Sequence, residues 1–331
     1  MDPTIFGFLL SDGLISGALY ALVALSLVLV FAVTRVILIP MGEWVMYAPL
    51  TQAGFLEGRL PATVGLSALL LLVWAVLDRR RGRAPWLLAG WAVGVGLLGM
   101  AGVRWPSLAG PIAFLVVLPL GPASFRLFFE PLPQGSVLLY LILAVGLHFV
   151  YKGLGLAFFG PDQFRLPALW PGELGVLGLP VPGQGVLLVA AALLAMAGLF
   201  LFFTTLYGKA LRAAAVNRLG ARISGISVRE AGRVAFLLAT AVGAAAGLLA
   251  APLTNASYDM GFLLGLKGFV AAILGGLVSY PLAVVGGGLV GLLEAFSSFY
   301  ASAYKEAIVF TLLLPVLAWR SLSALTLEEE E

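Results

Sequence analysis

The chain has 331 residues, of which 61% are hydrophobic and only 11% are charged, and its mean hydropathy is +1.07. A soluble globule of this length cannot bury so much apolar surface, so the composition predicts an integral membrane protein. The absence of cysteine excludes disulfides and thiolate metal sites, and a single histidine, His148, excludes metal motifs that need several. The formal net charge of +3 is small, and no basic strip suggests a nucleic-acid partner.

Long apolar segments fill most of the chain and predict an all-α, polytopic transmembrane helical bundle, because helices satisfy the backbone inside a bilayer. We expect about 8–11 spans, including short or broken helices, within one transmembrane domain of residues 1–331. The candidate spans are 5–33, 44–56, 62–77, 86–103, 108–120, 136–158, 186–207, 234–254, 262–278, 282–299 and 306–319. The second contains Pro49 and the fifth is short, so either is expected to be a partial or re-entrant helix.

The positions of the basic residues predict the orientation, because Lys and Arg are enriched on the cytoplasmic side of membrane proteins. One predicted side carries Arg35, 78–83, Arg126, the loop 208–233 and the C-terminus. The predicted location is the cell membrane, with the N-terminus outside and an acidic, solvated tail at 321–331 in the cytoplasm. The Gly/Pro-rich stretch 160–185 and residues 255–261 then lie outside, where a partner that delivers substrate would dock.

Residues 208–233 form a basic, Ala-rich loop between two long apolar segments. The loop holds six of the chain's 19 Lys and Arg residues, namely Lys209, Arg212, Arg218, Arg222, Arg229 and Arg233. Such clustering fits a surface that a cytoplasmic partner binds, and it fits equally a solvated loop that only obeys the charge rule. Composition alone leaves both interpretations open.

The same loop carries local helix signals. Apolar residues recur at a spacing of four, at Leu211, Ala215 and Leu219. This spacing predicts a short helix over 209–219 that stops at Gly220. Ser227 and Glu230 predict a capping box that starts the next helix.

Charged side chains at apparent membrane depth are candidate pathway groups, because each costs a few kcal/mol there unless it meets water, a partner or a substrate. Lys267 and Glu294 lie deepest, and they are expected to form a buried ion pair or to touch substrate directly. His148, four residues before Lys152, is expected to be hydrogen-bonded within the structure. Interfacial or capping roles are favoured for the charged residues near span ends, which are Asp12, Asp259, Lys305 and Glu306.

Polar and glycine residues complete the pathway candidates. Ser16 and Tyr20 share one face of the first segment, where hydrogen bonds between helices are the favoured alternative. Glu43 is expected to anchor the start of a helix rather than to bind substrate. The glycine pair Gly275 and Gly276 indicates close helix packing, or else half-helices that line a pathway.

Several blocks of residues resemble, in the same order, the membrane permease subunits of ABC importers for branched-chain amino acids, the Liv type. The blocks are 17–26, 35–43, 141–147, 159–167, 208–213, 266–276 and 293–306. The resemblance implies a subunit that moves branched-chain or other hydrophobic amino acids into the cytoplasm. Its implied partners are cytoplasmic ATPase subunits, a second, related permease subunit and an extracytoplasmic substrate-binding protein.

The resemblance also implies that the basic loop contacts the ATPase. The coupling residues would be Gly208, Lys209, Ala210, Arg212, Ala213, Arg218 and Gly220. Closure of the ATPase would move the attached spans as a rigid body, with Gly220 and Gly225 as flex points. The sequence has no Gly-x-x-x-x-Gly-Lys-Ser/Thr loop, so ATP is expected to be used by the partners, and no cofactor or metal is expected on this chain.

The chain departs from the family's pattern at several places. Val216 and Asn217 stand where an acidic pair is usual, and Met41 replaces a usual histidine. Residues 62–122 look expanded, and the usual basic tract before the middle helices is weak at 125–131. These departures bear on the substrate, and a permease of the same family for urea, an amide or another small solute is the first alternative.

An alternative of a different class is a polytopic membrane enzyme. The sequence lacks cysteine, a Gly-x-Ser-x-Gly motif and paired histidines, so it offers no nucleophile with its base. Asp12 and Asp259 make poor candidates for an intramembrane aspartyl pair. The sequence therefore predicts a transport subunit and not an enzyme.

Overall fold

The computed structural model describes residues 2–79, 85–132, 136–176 and 178–318. The described helices are α1 (Pro3–Thr34), α2 (Met41–Leu56), α3 (Ala62–Arg79), α4 (Trp86–Arg104), α5 (Ala109–Val117), α6 (Leu120–Ser124), α7 (Val137–Phe159), α8 (Gly183–Phe202), α9 (Leu206–Val216), α10 (Arg218–Ile223), α11 (Val228–Thr254), α12 (Met260–Leu274), α13 (Tyr280–Ala301) and α14 (Lys305–Thr311). Shorter elements are two 3-10 turns at Pro106–Leu108 and Ser302–Tyr304, a π-helical turn at Phe125–Phe129, and strands β1 (Glu173–Val176) and β2 (Leu179–Pro182).

Eight helical segments in the described part of the chain are long and apolar enough to cross a bilayer. They confirm the predicted all-α polytopic bundle. The prediction of a short or re-entrant span at 108–120 is wrong, because Pro106–Phe129 continue as one segment of 24 residues. Pro119 and Pro122 fall at the N-cap and first turn of α6, where a helix needs no backbone donor, so they do not end the segment.

Helix α1 lies at the centre of the bundle. Residues 17–30 of this helix are all buried, and the helix contacts α11, α12 and α13. It runs antiparallel to α13, with Gly17 against Gly288 and Ala21 against Gly287. Small residues let the two backbones approach closely, so these glycines serve helix packing.

The segment that passes back through the bundle after α1 is only partly helical, and we call such a segment a broken crossing. Residues 35–40 enter the bundle without helical structure, and α2 begins only at Met41. A side chain at Gly243 would meet Met41 and one at Gly247 would meet Val45, so α2 starts beside the middle of α11. The partial helix predicted at 44–56 is therefore confirmed, and the stretch before it supplies the other half of the crossing.

The crossing after α11 is broken in the same way. Residues 255–259 re-enter the bundle without helical structure, and α12 begins at Met260. Phe164 provides hydrogen-bond partners for part of this stretch. Its N–H and its carbonyl oxygen each form a 2.8 Å hydrogen bond with the backbone of Ala256. The helical half, α12, continues to Leu274 beside α1 and α13.

These two broken crossings form an inverted pair, because α2 runs from the centre towards one end of the bundle and α12 towards the other. Their first turns meet at Gly42 and Gly261. A Cβ atom on either glycine would collide with the backbone of the other. Only glycine permits this approach, so the centre of the bundle is a contact between two backbones.

The two ends of the bundle differ in character. At the hairpin end, β1 and β2 pair antiparallel, and Leu179 contacts Gly7 at the start of α1. The hairpin lies within the stretch 160–185, for which the sequence analysis predicts no strands. Phe164 pairs with Ala256, so the two loops predicted to share a face do lie together.

The opposite end of the bundle carries Arg35, Arg126 and the loop 208–233, and we call it the basic end. There the C-terminal end of α1 meets α9 and α10. The Arg218 Nη2 donates to the carbonyl oxygen of Val33 at 3.2 Å. One cavity there is lined by the end of α1, the π-helical turn, α10 and the start of α11. Most of the predicted basic groups therefore share one end, while residues 80–83 and the tail 321–331 lie outside the described residues.

Candidate translocation site and coupling surface

A cluster of ionisable side chains lies in the middle of the bundle, and we call Tyr20, Lys267, Glu294 and Glu306 the mid-membrane cluster. Lys267 Nζ lies 2.6 Å from Glu294 Oε1 and 3.0 Å from Glu306 Oε1. The Tyr20 hydroxyl donates to Glu294 Oε2, and Lys267 Nζ lies 5.6 Å from the centre of the Tyr20 ring. The predicted ion pair between Lys267 and Glu294 is present.

Four helices bring this cluster together. Tyr20 comes from α1, Lys267 from α12, Glu294 from α13 and Glu306 from α14. Glu306 lies in the first turn of α14, as expected for a residue near a helix end, and the 3-10 turn after α13 folds the chain back so that its carboxylate also meets Lys267. One ammonium group thus lies between two carboxylates, which leaves an excess of negative charge.

A cavity of about 520 Å³ adjoins the cluster on the side of the hairpin end. It lies between α1, α8, α11 and α13, and Glu294 is part of its lining. The other polar lining groups are Asp12, Ser16, Thr254 and Ser298. The remaining wall is apolar and includes Ile15, Leu19, Leu188 and Phe299. The cavity thus combines an apolar wall with two carboxylates.

The remaining pathway candidates lie elsewhere. Glu43 is buried in the first turn of α2, where its Oε1 lies 2.8 Å from His148 Nδ1, as expected for an anchored helix start and a partnered histidine. Gly275 and Gly276 form the turn after α12, with Gly275 against Ala283 and Gly276 at φ +72°. Within the described residues, no group of three His, Asp or Glu side chains could hold a metal ion.

The basic loop folds as two short helices, α9 and α10, which we call the coupling segment (206–223). The single helix predicted over 209–219 is wrong, because α9 ends at Val216 and Asn217 caps α10. The Asn217 side chain accepts a 2.8 Å hydrogen bond from the Gly220 N–H, so Gly220 lies inside a helix and is not a stop. The predicted cap at Ser227 is present, since its Oγ accepts from the Glu230 N–H at 3.3 Å.

The coupling candidates divide between the two sides of this segment. Gly208 is buried against Phe202 and Phe203, beside the buried Leu211. Lys209 is exposed, and the exposed Arg212 places its guanidinium 5.3 Å from the Phe203 ring. The partly exposed candidates are Ala210, Ala213, Arg218 and Gly220. The segment is therefore held by one face and open on the other.

A family described as the branched-chain amino acid transport system / permease component matches residues 9–317. The chain belongs to this family. The permease protein BraD of a high-affinity branched-chain amino acid transport system in Pseudomonas aeruginosa is 28% identical over 343 residues, covering 99% of each chain. LivH of Salmonella typhimurium, a permease protein of the same description, is 27% identical over 314 residues, or 92% of this chain and 91% of that one. No solved structure matches.

These comparisons confirm the resemblance to the Liv-type permeases. The family consists of transport permease components, so the match argues against the alternative of a membrane enzyme. Together with the eight apolar segments, the match identifies a multi-pass membrane protein.

The permease exposes apolar side chains along its coupling segment. They are between 69% and 83% exposed and comprise Leu206, Tyr207, Val216, Leu219 and Ile223. Apolar patches bordered by charged residues such as Lys209 and Arg212 are typical of sites that bind another protein.

The sequence analysis missed a second charged group, which we call the charge clamp: Asp78, Arg126, Glu130 and Arg233. Arg126 is 1% exposed, and its Nη2 donates to Asp78 Oδ1 at 2.7 Å. Arg233 Nη2 donates to Glu130 Oε2 at 2.8 Å, and Arg126 Nε lies 3.7 Å from the same oxygen. The clamp joins the end of α3, the π-helical turn and the start of α11.

The signals for the clamp were present but ambiguous. Arg126 and Glu130 are four residues apart in an apolar stretch. This spacing indicates either an ion pair between them or that each needs an oppositely charged partner elsewhere. Asp78 and Arg233 border loops, and the orientation rule treats them as solvated charges. Their burial follows from three elements meeting at the basic end, which the sequence does not show.

Proposed function

We propose that this permease is the membrane-spanning subunit of an ATP-driven importer for branched-chain or other hydrophobic amino acids. The observation that carries the proposal is the cavity that ends on the mid-membrane cluster. The names of the relatives, which are permease proteins of high-affinity branched-chain amino acid transport systems, support the substrate class.

The chemistry of the cavity suits a small zwitterion with an apolar side chain. Its volume of about 520 Å³ lies in the range of roughly 300–1,000 Å³ that is common for small-molecule sites. Ile15 and Leu188 offer apolar contact, while Asp12 and Glu294 attract an ammonium group. Lys267, held by Glu294, offers a positive charge deeper along the path.

The arrangement of the two ends supports the predicted partners and orientation. The basic end faces the cytoplasm under the positive-inside rule, which places the N-terminus outside and the C-terminus inside. Cytoplasmic ATPase subunits would bind the coupling segment, and the substrate-binding protein would dock at the hairpin end. A second, related permease subunit completes the assembly, ATP is used by the ATPase subunits, and this chain binds no cofactor of its own.

Movement would pass from the ATPase through the coupling segment to the spans. The segment contacts α1 and α11, so a rigid-body shift of α9 moves the ends of both helices. Gly225, at φ +79°, remains a flex point before α11. Gly220 loses that role because it is enclosed in the capped α10.

The proposal is tested by purifying the chain under mild conditions from its native membrane and identifying ATP-hydrolysing partners. We expect an ATPase to co-purify with wild type, and about tenfold less with Arg212→Glu, since a charge reversal at an interface costs a kcal/mol or more. The matched control is Arg165→Glu, an exposed arginine near the hairpin end, which should retain the partner. Wild type without any ATPase partner would refute the importer.

The substrate is tested by uptake into vesicles that hold the purified complex. Labelled leucine should enter only with ATP on the side of the ATPase, and urea and acetamide should not compete. Competition by urea or an amide, with no leucine uptake, would favour the alternative solute class.

A further inference from the structure

A second cavity, of about 680 Å³, lies at the basic end. Its walls come from the end of α1, the π-helical turn that ends the span 106–129, the start of α7, and the α10–α11 region. Three of these elements are ends of membrane spans. The cavity therefore lies at the depth of lipid headgroups.

The polar part of this cavity is strongly basic. Arg218, Arg222 and Arg229 line it, and Arg35 follows α1 directly beside it. None of these four arginines forms a salt bridge with an acid within the part of the chain that the structure describes. The acid in the lining is Glu130, which the charge clamp engages.

Close guanidinium groups without an anion repel one another, and the effect reaches Arg218. Burial lowers the pKa of the Arg218 guanidinium, Tyr140 opposes that shift, and the charges of Arg35 and Arg222 lower the pKa further. An anion in the cavity would remove this repulsion. A phosphate group suits the site because guanidinium binds two of its oxygens at once.

The cavity also has an apolar part next to the exposed start of α7. Val36, Phe125 and Ile226 line it, and α7 begins beside it with Val137 and Leu138 51% and 64% exposed. An acyl chain could follow this exposed surface of α7 while the headgroup occupies the basic part. A soluble acidic peptide would leave the apolar surface uncovered.

We propose that this cavity binds the phosphate headgroup of an anionic phospholipid from the surrounding bilayer. Arg218 and Arg222 hold the phosphate, and Arg229 and Arg35 add to the positive field. Because Arg218 also donates to the Val33 carbonyl, the bound lipid holds α10 against the end of α1. The lipid is thus a structural part of the coupling segment's attachment to the bundle.

The test compares lipid retention and thermal stability of the purified full chain. It is reconstituted in nanodiscs of phosphatidylcholine, with or without about a tenth of phosphatidylglycerol. We expect phosphatidylglycerol to raise the unfolding temperature, and native mass spectrometry to show a retained lipid. In the double variant Arg218→Gln/Arg222→Gln, retention should fall about tenfold, because two charge-assisted hydrogen-bonding groups are lost.

The matched control is the double variant Arg59→Gln/Arg165→Gln, which removes two exposed arginines away from the cavity and should retain the lipid. In pure phosphatidylcholine the control should unfold at the wild-type temperature and the Arg218→Gln/Arg222→Gln variant only slightly below it, because Arg218 loses its hydrogen bond to the Val33 carbonyl. We call Arg218→Gln/Arg222→Gln the basic-end variant. The proposal is wrong if phosphatidylglycerol does not raise the unfolding temperature above that in phosphatidylcholine alone. It is also wrong if the basic-end variant retains as much phosphatidylglycerol as wild type.

Two further arms separate the sources of phosphate and the competing partner. Inorganic phosphate that stabilises wild type as strongly as phosphatidylglycerol would overturn the lipid assignment in favour of a soluble anion. Loss of a co-purified protein in the basic-end variant, without any change in lipid retention, would show that an acidic protein surface occupies the cavity instead.

Discussion

The charge clamp and the mid-membrane cluster each join four side chains from different helices, yet they are built differently. In the clamp, Arg126 and Arg233 face the buried acids Asp78 and Glu130, and Arg233 also donates to Glu230, whose side chain is 56% exposed. In the cluster, a single lysine lies between Glu294 and Glu306, and Glu294 also lines a cavity. A group that gives each buried acid its own arginine ties helices together, while a group with one lysine for two acids beside a cavity is suited to meet a passing solute.

The first way to test this contrast is to break the clamp with Arg126→Met, which has the largest expected effect. The change leaves Asp78 buried without its ion pair, so stability should fall by about 3–5 kcal/mol. Thermal unfolding of the purified chain measures the loss. Arg104→Met, at an exposed position in the last turn of α4, should cost almost nothing.

The double variant Asp78→Leu/Arg126→Met sharpens the same prediction. It removes both charges and leaves Glu130 with Arg233, so most of the lost stability should return. An unchanged unfolding temperature in the single variant would show that the clamp contributes nothing to the fold.

The second test is Glu294→Gln in the mid-membrane cluster. Glutamine keeps the size and can still accept from Tyr20, so the amount of protein in the membrane should stay near wild type. Uptake should fall about tenfold, since a loss of only 1.4 kcal/mol in the interaction with an ammonium group has that effect. Vesicle uptake at fixed protein content measures it.

The control for this variant is Glu57→Gln, which alters an exposed acid paired only with Arg59 among its described contacts. It should transport normally. Normal uptake by Glu294→Gln as well would place the pathway elsewhere.

The smallest expected effect separates two buried tyrosines. Tyr20→Phe and Tyr47→Phe each remove one hydroxyl donor, to Glu294 and to the Tyr151 carbonyl respectively, at about 0.5–1.5 kcal/mol of stability. Only Tyr20→Phe should also reduce uptake, by a few fold, because it alters the carboxylate that lines the cavity. Equal uptake by the two variants would show that the Tyr20 hydroxyl contributes to stability and not to transport.

Much of the fold and part of the site follow from the sequence. Composition alone predicts the membrane bundle, and the apolar surroundings of Lys267 and Glu294 predict their pairing, because an unpaired charge there is costly. The return of Glu306 to the same depth escapes prediction, since it depends on one 3-10 turn after α13.

The division of the coupling segment and the charge clamp were not predicted, for two different reasons. Asn217 divides the coupling segment because its side chain offers the backbone a cap, which outweighs the continuous apolar spacing around it. The clamp depends on helices that are far apart in sequence, so no local pattern shows that Asp78 and Arg233 are buried. The role of α3 becomes visible only in three dimensions, where this helix supplies Asp78 to that clamp.

The contact between Gly42 and Gly261 also constrains how the chain is made. The non-helical residues 35–40 tolerate the membrane interior only because later helices cover them, and lipid would leave their polar backbone groups unsatisfied at several kcal/mol each. The covering helices α11 and α12 are synthesised long after α2. The first third of the chain therefore reaches its final packing only after the last third has been synthesised, because the glycine that Gly42 contacts lies in the first turn of α12.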